Sequence, residues 1–399
     1  MLLLCADIGG TNARFQLFDD LMAPLASDQP RLDRRYPTPE FSTLELLLRR
    51  FLTDAELLPR RGEVIAVCCL AVCTPVENER RICGAGGVDW DLDVVRDVER
   101  GPLGDIIRRC VLINDFVAVG LGLQSLTLAE QTSLHAAPMQ PRAPCMCLGP
   151  GTGLGTCFLT WDVDVGGYVA HAAEGGMVEF GARTAEQWGL REFLRQEQAA
   201  AAAAAAGDEA AAQSDAQPSE QEAPIIVEDV VSGPGLGHCY RYLSSCRGLE
   251  SEQLDLRATT RELPAMVAQV ALASMAPEPD TITQREEVKT VPSGLGRLDT
   301  ELCLAALDLW LGAFVDELRA AALRFLPLGG LFIAGGVASK LMPWLGEAVA
   351  ARFADQDLNA AVLRTVPVIL VDDSLDVGLL GARVRAAREQ AATRQRSAL

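Results

Sequence analysis

Lysine is nearly missing from this chain. Of 35 basic residues only Lys289 and Lys340 are lysines, and the rest are arginines. No Gly-Lys-Ser/Thr tripeptide occurs, which excludes a Walker-type phosphate loop. Histidine is scarce too, at three residues. No second Cys-x-Cys or Cys-x-x-Cys pair and no nearby histidine cluster completes a zinc site with Cys145 and Cys147. Positive charge is outweighed by 54 acidic residues, giving a net charge of −19 and a pI near 4.6. Such a surface repels nucleic acid and anionic membranes, so neither is an expected partner. No apolar run reaches the length of a membrane span. The apolar run at residues 2–6 is short and broken by Asp7, so it reads as a strand and not as a signal peptide. A polyanionic ligand must therefore be held locally, by backbone N–H groups, arginines and a divalent cation.

What the chain does have is glycine at the ends of strands. The segment running from Leu2 to Phe15 reads as an apolar strand ending near Asp7, a Gly9-Gly10 turn, and a second strand. Glycine permits unusual backbone angles and lets a ligand approach the main chain. Successive exposed N–H groups there form an anion-binding concavity. Asp7 is placed to act on a metal bound to phosphate. A plain hairpin is the bland alternative for this turn alone. The pattern recurs from Cys145 to Leu159, around Gly151, Thr152 and Gly153, and again at Gly335-Gly336, where the strand feeds a helix. Two facing hairpins around one phosphate chain would account for the repetition. The dinucleotide fingerprint GxGxxG is out of register in the segment from Gly149.

At 399 residues with 49% hydrophobic composition, the chain has room for about two domains. The 12 cysteines fall mostly in apolar runs such as Cys68, Cys69 and Cys73, where cysteine acts as a small hydrophobe. Reduced thiols in an intracellular compartment are the default reading. Strands are expected at 2–6, 13–18, 64–72, 111–113, 145–148, 156–160, 331–334 and 366–371. Helices are expected at 41–52, with Ser42 as cap and Glu45 completing a capping box, from Phe116, at 303–325 and from Val377. Strand-strand-helix alternation in two halves predicts an α/β protein with a mixed sheet in each half. Two stretches look inserted: 197–223, with eight consecutive alanines followed by a polar tract, and 277–296. A helix can extend into the alanines, and the polar tract reads as a surface loop.

Asn114 and Asp115 follow the buried strand at 111–113, so both emerge at a strand end. A carboxylate there can accept the proton of a hydroxyl attacking phosphorus, and an adjacent amide can orient the same substrate. Capping of the following helix is the structural alternative. Glu174, in Glu174-Gly175-Gly176, and Glu228 read as ordinary solvated glutamates, or as acceptors converging on the hydroxyls of a neutral polyol.

Taken in order, the segments Asp7 to Arg14, Ile113 to Phe116, Leu148 to Gly155, Glu174 to Gly176, Ser232 to Leu236 and Ile333 to Gly336 resemble the bacterial-type glucokinase family. That family belongs to the sugar kinase, heat-shock-protein and actin-like superfamily. The resemblance spans nearly the whole chain apart from the two inserts. It implies a two-domain actin-like (RNase H-like) ATPase fold of the α/β class, with mixed sheets flanked by helices and the active site in the interdomain cleft. A small domain of residues 1–120, completed by a C-terminal helix at 376–399, and a large domain of 121–375 are expected. The implied activity is ATP-dependent phosphorylation of glucose at its 6-hydroxyl. Asp115 matches the catalytic base and Asn114 its sugar-orienting neighbour. Glu174, Gly175, Gly176 and Glu228 match the sugar site. Asp7, Gly9, Gly10, Thr11 and Asn12 match the first phosphate turn, with Asp7 near the Mg2+ of MgATP. Thr152 and Gly153 match the second turn, and Gly335 and Gly336 the adenosine side. ATP and Mg2+ are the implied cofactors, glucose the partner, a homodimer the assembly common in the family, and the cytoplasm the location. Ser397-Ala398-Leu399 only faintly resembles a peroxisomal tail.

The chain departs from the family at three places. Met177 stands where the family has a sugar-binding His, Asp229 follows Glu228 where Arg is common, and residues 75–90 diverge from the usual sugar-side loop. The cysteine-rich zinc motif of the related ROK kinases is absent. Phosphorylation of another hexose or an amino sugar is the first alternative, and a catalytically weak sugar sensor the second. An actin-like polymerising ATPase would leave the sugar-side glutamates without purpose.

Overall fold

The structure is a computed structural model that describes residues 1–19, 29–58, 62–82, 90–206, 223–247, 262–275, 300–355, 358–372 and 376–398. The 277–296 insert, residues 207–222 of the other insert, and Leu399 lie outside the described residues.

Two mixed sheets repeat one plan. In the first, β1 (Leu2–Ile8) and β2 (Asn12–Asp19) form an antiparallel hairpin, and β3 (Leu32–Pro37) extends it beyond β2. Helix α1 (Leu44–Asp54) follows, then β4 (Ile65–Val72) parallel to β1. A short ribbon, β5 (Val76–Glu77) with β6 (Arg81–Ile82), stands outside the sheet, and β7 (Cys110–Asn114) joins parallel to β4. The strand order is β3-β2-β1-β4-β7. In the second sheet β9 (Cys145–Pro150), β10 (Leu154–Asp162) and β11 (Gly167–Ala173) form the antiparallel meander, and β12 (Leu331–Ile333) and β13 (Val368–Val371) add in parallel. An extra edge strand, β8 (Gln131–His135), pairs antiparallel with β13, so the order is β11-β10-β9-β12-β13-β8. The central strands β4, β9, β12 and β13 are covered on both faces, which is why they read as continuous apolar runs.

Helix α1 buries Leu44, Leu47, Leu48, Phe51 and Leu52, a one-sided stripe at helical spacing, against one face of the first sheet. Its cap is Thr43, whose hydroxyl accepts from the Leu46 N–H, and not Ser42. Glu45 closes no capping box with Ser42; it pairs with Arg49 one turn on, at 2.7 Å. The helix therefore starts one residue later than the Ser-x-x-Glu pattern suggests. The alanine run does continue a helix: α3 spans Ala185–Ala206.

Helix α2 (Asp115–Leu123) packs between the two sheets. Ala118 and Leu121 join the first sheet and the C-terminal helix (Val377–Ala398), while Leu123, Phe116 and Val119 join the second sheet. A helix enclosed in this way must be apolar all round, as Asp115–Leu123 is after its first residue. The C-terminal helix lies against β1 and β4 through Leu379, Ala382 and Ala386. It approaches α2 so closely that a Cβ at Gly381 would fall 1.6 Å from the Ala118 carbonyl oxygen. The helix Thr300–Phe325, with Trp310 and Phe314 fully buried, anchors the other face of the second sheet.

Candidate active site

Asp7 near the end of β1, Asp115 after β7 and the third glycine turn after β12 line one cleft, whereas the first and second glycine turns are not among its described lining residues. Its volume is ≈ 360 Å³, and Asp7, Arg14, Arg35, Asp115, Gly335 and Gly336 are among the residues lining it.

The first turn is held by a residue that sequence reading missed. Gly9 N–H donates to the Asn12 carbonyl at 2.9 Å, and buried Thr38 donates its hydroxyl to the Gly9 carbonyl at 2.7 Å. Thr38 N–H also donates to the Thr11 carbonyl at 3.0 Å. Gly10, Thr11 and Asn12 are left exposed at the tip. The second turn is braced from two sides. Gly151 N–H closes on the Gly153 carbonyl at 2.8 Å, and Gly233 N–H, at the start of the helix Gly233–Cys246, donates to the Gly151 carbonyl at 2.8 Å. Thr152 stays exposed. At the third turn Gly335 has φ +101°, a conformation side chains resist, and it caps the helix Gly336–Lys340.

Asn114 does what a capping residue does. Its Oδ1 accepts from the N–H groups of Phe116 at 2.9 Å and Val117 at 3.2 Å. Its Nδ2 reaches the Thr74 carbonyl at 3.5 Å. Capping thereby fixes the start of α2, and with it Asp115, the first helical residue. Burial raises the Asp115 carboxyl to about 6, with Glu174 adding to the rise and the Phe116 N–H opposing it. Asp7 is pushed up to about 7, first by burial, then by Asp376 and Asp115, against the pull of Arg14 and Arg35. Glu174 is raised by burial and then by Glu228. Asp7, Asp115 and Glu174 are thus each raised by a neighbouring acid, Asp7 by Asp376 and Asp115, Asp115 by Glu174, and Glu174 by Glu228. Acids crowded in this way favour proton uptake, a nearby cation, or hydroxyl groups as hydrogen-bond donors.

Glu174 follows β11, and its loop is fixed by buried Thr156. The Thr156 hydroxyl donates to the Ala173 carbonyl at 2.8 Å and accepts from Gly175 N–H at 2.9 Å. Glu228 accepts from the Leu154 N–H at 2.8 Å, and a Cβ at Gly153 would lie 2.3 Å from its Oε2. A Cβ at Gly176 would lie 3.3 Å from the same oxygen, so Glu228 ties the second glycine turn to the Glu174 loop, a link that its isolated place in the sequence did not show. Met177 is 56% exposed and makes no side-chain hydrogen bond. Among the described residues no cluster of three or more His, Cys, Asp or Glu could hold a metal on its own.

Known proteins carry the same plan. The family model named Glucokinase matches residues 4–206 and 198–389. A glucokinase of Synechocystis sp. is 28% identical over 400 residues, covering 96% of this chain and 98% of the relative. The crystal structure of a Balamuthia mandrillaris glucokinase in complex with glucose superposes with a TM-score of 0.68 at 18% identity, covering 96% of this chain and 93% of the other. A ROK-family glucokinase from Streptomyces griseus, in complex with glucose and AMPPNP, gives 0.54 at 14% identity, covering 97% and 100%. The fold is that of the actin-like sugar kinases. With the family model matching both sheets and every turn described above, this chain belongs to the glucokinase family.

Proposed function

We propose that this protein transfers the terminal phosphoryl group of ATP to the 6-hydroxyl of glucose, with Asp115 as general base. Membership of the glucokinase family supports a hexose kinase. The observation that carries the residue assignment is the position of Asp115. It shares the cleft with Asp7, whose carboxyl it raises, and is itself raised by Glu174; in this reading Asp7 marks the phosphate side and Glu174 the sugar side.

In this reading the sugar lies against Asn114, Asp115, the Glu174-Gly175-Gly176 loop and Glu228. The phosphates lie between Asp7, Gly9, Gly10, Thr11 and Asn12 on one side and Thr152 and Gly153 on the other, with Gly335 and Gly336 toward the adenosine. Residues 1–120 with 376–399 form one lobe and 121–375 the other, and closure expels water that would compete with the sugar. A carboxyl near 6 is mostly ionised at neutral pH yet basic enough to accept the hydroxyl proton, the balance that general-base catalysis favours. Asn114 holds that carboxylate in place through the helix cap. Glu174 and Glu228 accept from sugar hydroxyls.

Mg2+ fits the donors present. Asp7 is an acid under pressure from two other aspartates, and a divalent ion would relieve it. The lack of a three-ligand cluster among the described residues suits an ion that arrives on the nucleotide and keeps most of its waters. When bound, it neutralises charge on the transferring phosphates. The test is a coupled assay with glucose, mannose, fructose and glucosamine at saturating MgATP. Turnover of glucose with a higher kcat/KM than the other sugars is expected, and no turnover with any of them would remove the kinase reading in favour of a sugar sensor. Met177, in place of an imidazole, is the specific reason to include the other sugars. A homodimer and a cytoplasmic location belong to the same proposal, and light scattering reads the first directly.

A further inference from the structure

Register places three charged residues in a line across the first sheet. Asp7 on β1 stands opposite Arg14 on β2, and Arg14 opposite Arg35 on β3. Residues directly opposite one another share a face. The hydrophobic neighbours of Asp7 on that face, Leu3 and Cys5, pack under the C-terminal helix, and the charged row continues that face into the cleft.

The two guanidiniums are not equivalent. Arg14 is committed. Its Nε and Nη2 bond the Asp33 carboxylate at 3.0 and 2.6 Å, and its Nη1 bonds Asp376 at 3.0 Å. Asp33 shares the face of Arg35 two residues earlier on β3, yet its carboxylate is already taken by Arg14 and by Gln16 at 2.8 Å. Arg35 makes no hydrogen bond or ion pair among the described residues, and it is exposed into the cleft that holds Asp7, Asp115 and Gly335. Like charges directly opposite in a sheet repel. Arg14 is bonded directly to two carboxylates, whereas Arg35 feels Asp7 and Asp33 only through space. Among the described cleft-lining residues these two are the basic ones. Phosphoryl transfer spreads negative charge over three equatorial oxygens and calls for a cation beside them. The planar fork of arginine suits two of those oxygens at once.

We propose that Arg35 is a catalytic residue whose guanidinium binds the phosphoryl group during its passage from nucleotide to sugar. The inference rests on the kinase reading above. In the step, a bond forms between the sugar hydroxyl oxygen and the γ-phosphorus, and the bond from that phosphorus to the β–γ bridging oxygen breaks. The hydroxyl proton goes to Asp115, the electron pair of the broken bond stays on the ADP formed, and Arg35 exchanges no proton.

The test uses the full chain with Arg35→Ala, Arg35→Lys and, as a control on the opposite face of β3, Arg34→Ala. Steady-state kinetics are measured with glucose and MgATP. Calorimetry without turnover measures binding of AMPPNP with Mg2+, of MgADP, and of glucose 6-phosphate. Arg35→Ala is expected to lower kcat by about 10²-fold. It should weaken AMPPNP while leaving MgADP unchanged if the contact is made while the group is on the nucleotide, and weaken glucose 6-phosphate if the contact persists on the product. Arg35→Lys should recover part of the loss, and Arg34→Ala should match wild type. The melting temperature of Arg35→Ala should change little, because the repulsion by Arg14 and the attractions of Asp7 and Asp33 are lost together. Wild-type kcat and unchanged affinity for AMPPNP and glucose 6-phosphate in Arg35→Ala would overturn the proposal, as would an equal loss in Arg34→Ala. If the wild-type protein turns over no sugar, the kinase reading fails instead, and the comparison of AMPPNP with MgADP still decides whether Arg35 binds a terminal phosphate.

Discussion

The ring of Phe116 fills the space that a side chain at Gly155 would need: a Cβ there would fall 1.8 Å from Phe116 Cε2. Gly149, the partner of Gly155 across the β9–β10 hairpin, faces the same ring at 2.4 Å from its would-be Cβ. Phe116 follows Asp115 directly, so the seat of this ring sets where the carboxylate points. Gly155→Ala should force the ring out, costing about 1–3 kcal/mol of stability as overpacking and lowering kcat. Chemical denaturation and steady-state kinetics measure both. Unchanged stability would show that the ring has another place to go.

Asp115→Asn should abolish most turnover and leave glucose binding largely intact, because an amide keeps the shape and loses the base. A positioned general base contributes about 10²–10⁴-fold. The check pairs kcat from the coupled assay with glucose affinity by calorimetry.

Met177→His should strengthen glucose binding. A recovered hydrogen bond contributes about 0.5–1.5 kcal/mol, or roughly a two- to tenfold lower KM. Met177 is exposed beside Glu174, so an imidazole meets no packing obstacle. An unchanged KM would mean that water already fills this role.

Trp310 reaches the second glycine turn, the proposed phosphate turn, through a chain of contacts. Its indole N–H donates to the Ser232 carbonyl at 2.9 Å, and Gly233, next in sequence, donates to Gly151. Trp310→Phe keeps an aromatic ring and removes the donor. A stability loss of about 0.5–1.5 kcal/mol is expected, with a raised KM for ATP and a glucose KM near wild type.

Glu317 offers a pH test remote from the cleft. Burial lifts its carboxyl to about 7, against Arg324 and Arg183. The folded protein therefore holds this proton more tightly than the unfolded chain does, and stability is lost as pH rises from about 4.5 through 7. Glu317→Gln should raise the melting temperature at pH 8, where the charged form is forced into the fold, and change it little at pH 4.5. A lower melting temperature at pH 8 would show that the Arg324 contact, 3.8 Å away, outweighs the burial cost.

Much of the fold was legible because its central strands are buried on both faces. The strands at 64–72, 145–148 and 331–334 announced themselves as apolar runs, and the structure places their ends within two residues of those bounds. The edge strands did not. The β3 sequence Leu-Asp-Arg-Arg-Tyr-Pro, β8 and β11 are half-exposed, carry little apolar periodicity, and pair along one side. Apart from the added edge strand β8, the second sheet repeats the strand order of the first, yet only the glycine turns carried that repetition at the level of residues. The cap of α1 was misplaced by one residue because Ser42 and Thr43 are both good caps, and the preceding backbone chose between them.

The sequence by itself determined the glycine turns, the carboxylate that follows a buried strand, and the family to which they belong, because each is a local pattern in which neighbours along the chain supply the chemistry. Tertiary structure alone decided that Thr38 and Thr156 hold two loops, that Glu228 joins the second glycine turn to the Glu174 loop, and that Arg35, without an ion pair among the described residues, stands in line with Asp7. Those relationships depend on strand register and helix packing, which bring together residues distant in the chain and are fixed only when whole apolar faces are buried at once.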